Sequence, residues 1–261
     1  MWKSLLPLLA LILSQVQPQI GQPGKDVVWV PTVPALVDKM LDIAHVTPQD
    51  VVIDLGSGDG RTVIAAAKRG ARALGIEYNP DMVELSARNA ASEGVADKTT
   101  FVEADLFETD LSTATVITMF LLPDINLKLR PKILDLTPGT RIVSNTFTMG
   151  DWSPDATARI EDGCTNWCAA LLWIVPAKVD GGWKLPQGEL WLKQAFQVVG
   201  GTFEAGDASG LVTNGHVHGD QISFTVGGSQ FSGRVNGNVI EGTLTANGTT
   251  SRWRATRLAG R

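Results

Sequence analysis

Between residues 33 and 44, Leu36, Val37, Met40, Leu41 and Ala44 recur at helical spacing behind Pro34, which predicts an amphipathic helix. The period then changes. "VVIDL" is a continuous β-branched run that breaks into glycines and is followed by the helix-compatible "TVIAAAKRG", the signature of a buried strand, a tight loop and a helix. "ARALGIE" and "TTFVEADLF" read as a second and a third strand. Between them "NPDMVELSARNAASEG" carries Asn79 as N-cap, Pro80 at the first helical position and Gly94 as the stop. "ATVITMFLLP" is a continuous apolar fourth strand and "TRIVSNTF" a fifth, as a parallel sheet covered on both faces requires. The alternation predicts a doubly wound α/β plan, with ligand residues at the carboxyl ends of the strands.

From about Leu185 helical periodicity gives way to dense Gly, Asn, Thr and Ser between short alternating apolar segments. "GHVHGDQI" and "GRVNGNVI" share G-x-V-x-G-x-x-I at an offset of 18 residues, which predicts a repeated hairpin. Asn214-Gly215, Asn236-Gly237 and Asn247-Gly248 are hairpin-turn dipeptides. Six or more short strands are expected, as a small all-β meander, sandwich or partly closed barrel. The chain therefore divides into an N-terminal segment, 1–24, an α/β domain, 25–179, and a β-rich domain, 185–261. His216 and His218 share strand period, but no third ligand has metal-site spacing, so no metal is expected.

Composition adds little until charge is considered. With 44% hydrophobic and 19% charged residues the chain is an ordinary globular sequence. Its net charge of −5 argues against nucleic acid as the main partner, because neutralising phosphates needs a basic surface. The arginines of "SRWRATRLAGR" are the exception, and their alternation with Trp253 fits the outer face of a last strand.

The chemistry concentrates in "DLGSGDGR". Gly56, Gly58 and Gly60 remove the Cβ atoms that would keep a ligand off the backbone. The G-x-G-x-x-G dinucleotide fingerprint would need a third glycine where Arg61 stands, and no phosphate-binding loop of the G-x-x-x-x-G-K-[ST] kind is present. Asp54 and Asp59 bracket the loop and would repel a pyrophosphate, whereas they suit a cation. S-adenosylmethionine, with an ammonium and a sulfonium at one end and a ribose and adenine at the other, meets these demands. Glu77, at the tip of the second strand and about 20 residues beyond the loop, is placed to accept from both ribose hydroxyls, with Tyr78 beside the adenine. Asp105 could accept from the adenine amino group while the Leu106 N–H serves a ring nitrogen. Singly, each acid is more often a helix cap or turn residue. Their succession at three strand ends carries the inference.

Through "DLGSGDG", Glu77 and Asp105 the chain resembles the class I S-adenosylmethionine-dependent methyltransferases over roughly residues 27–177. The resemblance implies a Rossmann-like sheet, and a cofactor site at Asp54, Gly56, Ser57, Gly58, Asp59, Gly60, Glu77 and Asp105. "VWVPTVPALVDKML", "FLLPDINLKLRPKIL" and "TRIVSNTFTMGDW" are similar to the branch that includes the lysine methyltransferases of the ATP synthase c-subunit, which implies a protein-lysine acceptor. Relatives lead one to expect a histidine or acid within "SNTFTMGD", where this chain has Asn145 and Thr148.

In-line methyl displacement relies on positioning more than on a strong base. Asp124, after "FLLP", is the candidate for orienting an amine acceptor, its alternative being a helix N-cap. The first helix is expected to cover the cofactor crevice, with Trp29, Pro31 and Thr32 at its lip. A non-catalytic S-adenosylmethionine-binding or envelope-interaction protein is the competing class.

At the start, Lys3 precedes a nine-residue apolar run, "LLPLLALIL", in the layout of a secretory signal, too short for an ordinary spanning helix. Export or membrane association through the N-terminus is expected, with a cytoplasmic location as the alternative. Cys164 and Cys168 have C-x-x-x-C spacing, and a disulfide and two half-buried thiols both remain open.

Overall fold

The computed structural model describes residues 19–22, 25, 28–206 and 208–259, so the apolar run at 5–13 lies outside the described residues. No described helix is long and apolar enough to cross a membrane. The α/β half is a seven-stranded sheet in the order β3-β2-β1-β4-β5-β7-β6. Its strands are β1 (Val51–Leu55), β2 (Arg72–Glu77), β3 (Thr99–Glu103), β4 (Val116–Met119), β5 (Arg141–Asn145), β6 (Ala156–Arg159) and β7 (Ala169–Ile174). The first five pair in parallel, while β7 runs antiparallel to both β5 and β6. The purely parallel sheet expected from the pattern thus ends in an antiparallel hairpin edge. β6, only four residues long and half-buried, carries too few apolar positions to be read as a strand.

Helices α1 (Pro34–Ile43), α2 (Arg61–Lys68), α3 (Pro80–Ser92) and α4 (Pro123–Leu134) cover the sheet. Asn79 caps α3, its side chain accepting from the Asp81 N–H, and Gly94 follows at φ +71°. α1 buries Leu36, Val37, Met40 and Leu41 in one core layer with Val52, Val143 and Leu172. It therefore packs on the sheet face and meets the crevice only through Met40. The expected cover is supplied instead by the extended chain ahead of it.

The C-terminal half is a closed eight-stranded antiparallel barrel, β10-β11-β12-β13-β14-β15-β8-β9. It comprises β8 (Gly181–Leu185), β9 (Gly188–Ala195), β10 (Val198–Ala205), β11 (Ala208–His218), β12 (Gln221–Val226), β13 (Ser229–Asn236), β14 (Val239–Ala246) and β15 (Thr249–Arg257). The barrel begins at Gly181, ahead of the change in texture, and Ala177 and Val179 already belong to its core. The 18-residue repeat places the Val217–Ile222 and Val235–Ile240 pairs inside the barrel beside the turns of the β11–β12 and β13–β14 hairpins. Asn247-Gly248 turns with positive φ at both residues, as a type I′ turn requires. Asn214-Gly215 is no turn: it lies within β11 at a β-bulge, where a Cβ on Gly215 would meet the Val199 carbonyl oxygen at 2.1 Å.

The two halves touch through the β9–β10 turn. Phe196 stacks on Trp152 at 5.7 Å and the Arg130 guanidinium lies over the Phe196 ring at 5.2 Å, while the Gln197 amide donates to the Ser153 carbonyl.

Candidate active site

One cavity opens at the carboxyl edge of β1, β2, β3 and β4, lined by the glycine loop, the strand-end acids and the chain ahead of α1. Loop residues Gly56, Gly58 and Gly60 all have positive φ. Gly58 also lies against the Trp29 indole, whose Nε1 would stand 2.5 Å from an added Cβ, so Trp29 forms the lip foreseen for it. Ser57 lines the cavity, but its hydroxyl is buried towards Gly75, where a Cβ would meet it at 2.6 Å.

Asp54 ends β1 almost completely buried. Burial pushes its carboxyl up to about 7, against a short hydrogen bond from the Thr118 hydroxyl at 2.6 Å, and the nearby Glu77 and Asp59 charges push the same way. A buried carboxylate with acids around it is short of a cation. Glu77 is clamped by backbone N–H groups: Gly58 donates to one oxygen at 2.9 Å, and Tyr78 and Asn79 to the other at 2.9 and 3.0 Å. Asp105 pairs with Lys25 at 2.5 Å and accepts from the Phe107 N–H, contacts that hold it below the usual carboxylate range. Lys25 also sits 4.7 Å over the Tyr78 ring, and both Tyr78 and Leu106 line the cavity.

Asp59 also lines the cavity, held from within the protein. Arg61 grips it with two nitrogens and donates to the Thr32 carbonyl at 2.8 Å, so its charge is matched within the protein and ties the loop to the lip. Arg61, the residue that broke the dinucleotide fingerprint, is this clamp. Asp124 is exposed in the first turn of α4, two residues beyond the N-cap Leu122, and is not among the cavity-lining residues. That position suits a carboxylate at a helix N-terminus. Asn145 is buried and donates to the Thr32 hydroxyl, and neither it nor Thr148 lines the cavity.

Between them stands a residue that pattern reasoning missed. Phe147 reaches the cavity from the loop after β5, and Phe120 and Trp167 join it. Phe120 stacks with Phe147 at 5.8 Å and meets Trp167 edge-on at 5.6 Å. The loop is braced: Thr146 has φ +61°, and the Phe147 carbonyl accepts from the Ser144 hydroxyl at 2.7 Å and from the Asn126 amide. The signal was available, since Phe120 and Phe147 follow the ends of the fourth and fifth strands just as the acids follow the first three. Cys164 and Cys168 are bonded, with Cα atoms 5.8 Å apart, in the β6–β7 loop that carries Trp167. On the barrel, His216 lies 4.0 Å from Asp155, and among the described residues no group of metal-binding side chains converges.

The donor set fits S-adenosylmethionine. Asp54 lacks a cation that an ammonium would provide, Glu77 is a preorganised acceptor for a diol, and the glycine loop allows close approach.

Known proteins agree with this geometry. The profile of the ANTKMT methyltransferase domain matches residues 54–156. A protein-lysine N-methyltransferase of Saccharolobus islandicus (strain REY15A) is 43% identical over 141 residues, covering 53% of this chain and 88% of that enzyme. The lysine N-methyltransferase of the ATP synthase c-subunit from Xenopus laevis is 35% identical over 129 residues, 48% of this chain but only 57% of its own length. Among solved structures, an RNA methyltransferase from Salinibacter ruber bound to S-adenosyl-L-homocysteine is 47% identical. It superposes with a TM-score of 0.54 over 57% of this chain and 96% of its own. These matches cover just over half of this chain at most.

Proposed function

The chain belongs to the S-adenosylmethionine-dependent methyltransferases that carry the ANTKMT methyltransferase domain, and from that premise we propose that it methylates the side-chain amine of a protein lysine. The cofactor supplies an electrophilic methyl group on its sulfonium. Asp54 faces the ammonium end, Glu77 the ribose and Asp105 the adenine, which leaves Phe120, Phe147 and Trp167 for the acceptor.

The observation that carries the lysine assignment is the character of that last wall. It presents three rings together with Leu121, Leu122 and Ile125, and no carboxylate. An alkyl chain tipped with an ammonium is what such rings attract, through apolar contact along the stem and cation–π attraction at the head. Reaction needs the neutral amine: the rings hold the ammonium until its proton leaves to solvent, and no carboxylate on that wall adds to their hold on it. Relatives named for protein-lysine methylation support the same assignment.

The Salinibacter ruber protein is named for RNA methylation, so RNA is the rival acceptor. The net charge of −5 weighs against it, and the two cations lining the cavity, Lys25 and Arg61, are paired with Asp105 and Asp59. Incubation with tritiated S-adenosylmethionine and matched protein and RNA extracts tests the choice. Label that survives ribonuclease and maps to methyl-lysine is expected, and label confined to RNA would overturn the assignment. A location at or beyond a membrane is also part of the proposal, on the strength of Lys3 and the apolar run at 5–13. Recovery of the chain with Met1 intact in soluble cytosol would refute it.

A further inference from the structure

We propose that the Cys164–Cys168 disulfide is a thiol-controlled latch on the acceptor mouth, holding Trp167 as its third wall. The inference rests on the assignment of the ring-lined end to the acceptor, and adds to it a control that acts on the acceptor and spares the cofactor.

Phe120 and Phe147 are fixed by strand ends and by a braced loop, and both are half-buried. Trp167 is not supported in that way. It is 43% exposed, at the tip of the β6–β7 connection, in a stretch where residues 161–167 belong to no strand and all but Cys164 are exposed. Its φ of +56° is one that a bulky side chain seldom adopts unaided. The chain rejoins regular structure only at Cys168, whose carbonyl accepts from the Ile160 N–H, and at Ala169, whose carbonyl accepts from Thr146. What closes the five-residue tip is the bond between Cys164 and Cys168, which brackets Trp167 directly. Through Trp167 the closed tip contacts Phe120, and through Ala169 it is joined to the loop that carries Phe147.

Reduction by a dithiol transfers two electrons and two protons. The sulfur–sulfur bond breaks, Cys164 and Cys168 become thiols, and the dithiol closes to its own disulfide. Trp167 then leaves its left-handed conformation and the collar loses one of three rings. The hydrogen bonds of Asp54, Glu77 and the glycine loop are made with other elements than the tip, so cofactor affinity stays as it was. In an oxidising compartment the latch is closed, and in a thiol-rich one it opens.

The test uses the full chain saturated with S-adenosyl-L-homocysteine and n-butylammonium, the lysine side chain without its backbone, as probe. Binding is followed by ligand-observed NMR before and after dithiothreitol, and with a Cys164→Ser/Cys168→Ser variant, Trp167→Leu and Trp167→Phe. Reduction, the double serine variant and Trp167→Leu should each weaken the probe about fivefold to tenfold. Trp167→Phe should recover most of the loss, and calorimetric affinity for S-adenosyl-L-homocysteine should not move. Equal probe affinity in the oxidised and reduced proteins overturns the latch and leaves the lysine assignment standing. Loss of cofactor affinity on reduction also overturns it, since the bond would then support the whole fold. Thiol-sensitive probe binding without methylation of any lysine peptide supports the latch and sinks the lysine assignment.

Discussion

The two ends of the cavity are built on opposite principles. At the cofactor end, charged side chains are set by directed hydrogen bonds: Glu77 by three backbone N–H groups, Asp105 by the Phe107 N–H and Lys25, Asp54 by Thr118 and Asp59 by Arg61. At the acceptor end, uncharged rings are set by one another and by loops that the rest of the molecule must brace. The first arrangement recognises a fixed ligand with defined donors. In the proposed function the second grips a side chain with an apolar stem and a positive tip. Substitutions should therefore separate cleanly into those that change cofactor affinity and those that change the Michaelis constant for the acceptor.

Asp54→Asn should give the largest effect, with opposite signs on stability and binding. The folded carboxyl, pushed up to about 7, holds a proton that the unfolded chain gives up near 3.8. Between those values the folded state binds more protons, so stability falls as pH rises through the window and the full cost is present above it. It is on the order of 4 kcal/mol. Asparagine has no charge to bury and can still accept from the Thr118 hydroxyl. Thermal melts of the free protein at pH 8 should rise, while calorimetry shows S-adenosylmethionine binding weakened by about 10-fold to 100-fold for one lost charged contact. An unchanged melting temperature with unchanged affinity would mean that Asp54 is neither strained nor a ligand.

The same group sets the second expectation, in the unmodified protein. If the ionised Asp54 faces the ammonium of the cofactor, affinity should fall about tenfold per pH unit below 7 and level off above it. Acceptor binding, measured with the cofactor product in place, should show no such slope. A flat cofactor profile from pH 5.5 to 8 removes Asp54 from the site.

What was readable in the sequence follows the same division. Asp54, Glu77 and Asp105 could be found because each ends a strand whose apolar run is unmistakable, and a ligand with fixed donors demands acids at those places. Arg61 shows the limit: its failure to match a glycine fingerprint was visible, but not its grip on Asp59 and Thr32, because residue 32 approaches only after folding. Trp167 was invisible for a stronger reason. Its neighbours in the cavity lie 47 and 20 residues away in sequence, at positions 120 and 147, and rings that pack together leave no periodic mark. The barrel was legible as hairpins through Asn247-Gly248 and the 18-residue repeat, while Asn214-Gly215 is a bulge and Asn236-Gly237 lies one residue ahead of the turn; closure depends on β15 meeting β8 across more than 60 residues, which no local pattern encodes.

A second substitution probes the ring wall itself. Phe147→Ala should raise the Michaelis constant for a lysine peptide about tenfold, the scale of a lost cation–π and apolar contact, with cofactor affinity within about twofold of the parent. Its backbone braces survive, because Ser144 and Asn126 bond the Phe147 carbonyl and not the ring. Equal losses at both ends of the cavity would show that the ends are not independent.

The smallest effect should come from the barrel, and it should appear at the acceptor end alone. Phe196 of the β9–β10 turn stacks on Trp152, which closes the loop that begins at Thr146 and carries Phe147. Arg130 donates to the Met149 carbonyl in that loop and also lies over the Phe196 ring, so barrel, α4 and loop meet at one point. The glycine loop and the strand-end acids line the cavity, which Phe196 does not. A stacked aromatic pair contributes about 0.5–1.5 kcal/mol beyond its buried area, and only part of it is transmitted through the loop. Phe196→Ala should thus raise the acceptor Michaelis constant about threefold on that scale, leaving cofactor affinity and its pH profile unchanged. Phe196→Trp, which keeps a ring over Trp152, should restore most of the loss. If Phe196→Ala instead weakens the cofactor, the barrel braces the whole sheet, and the division between the two ends of the cavity is not the one the molecule uses.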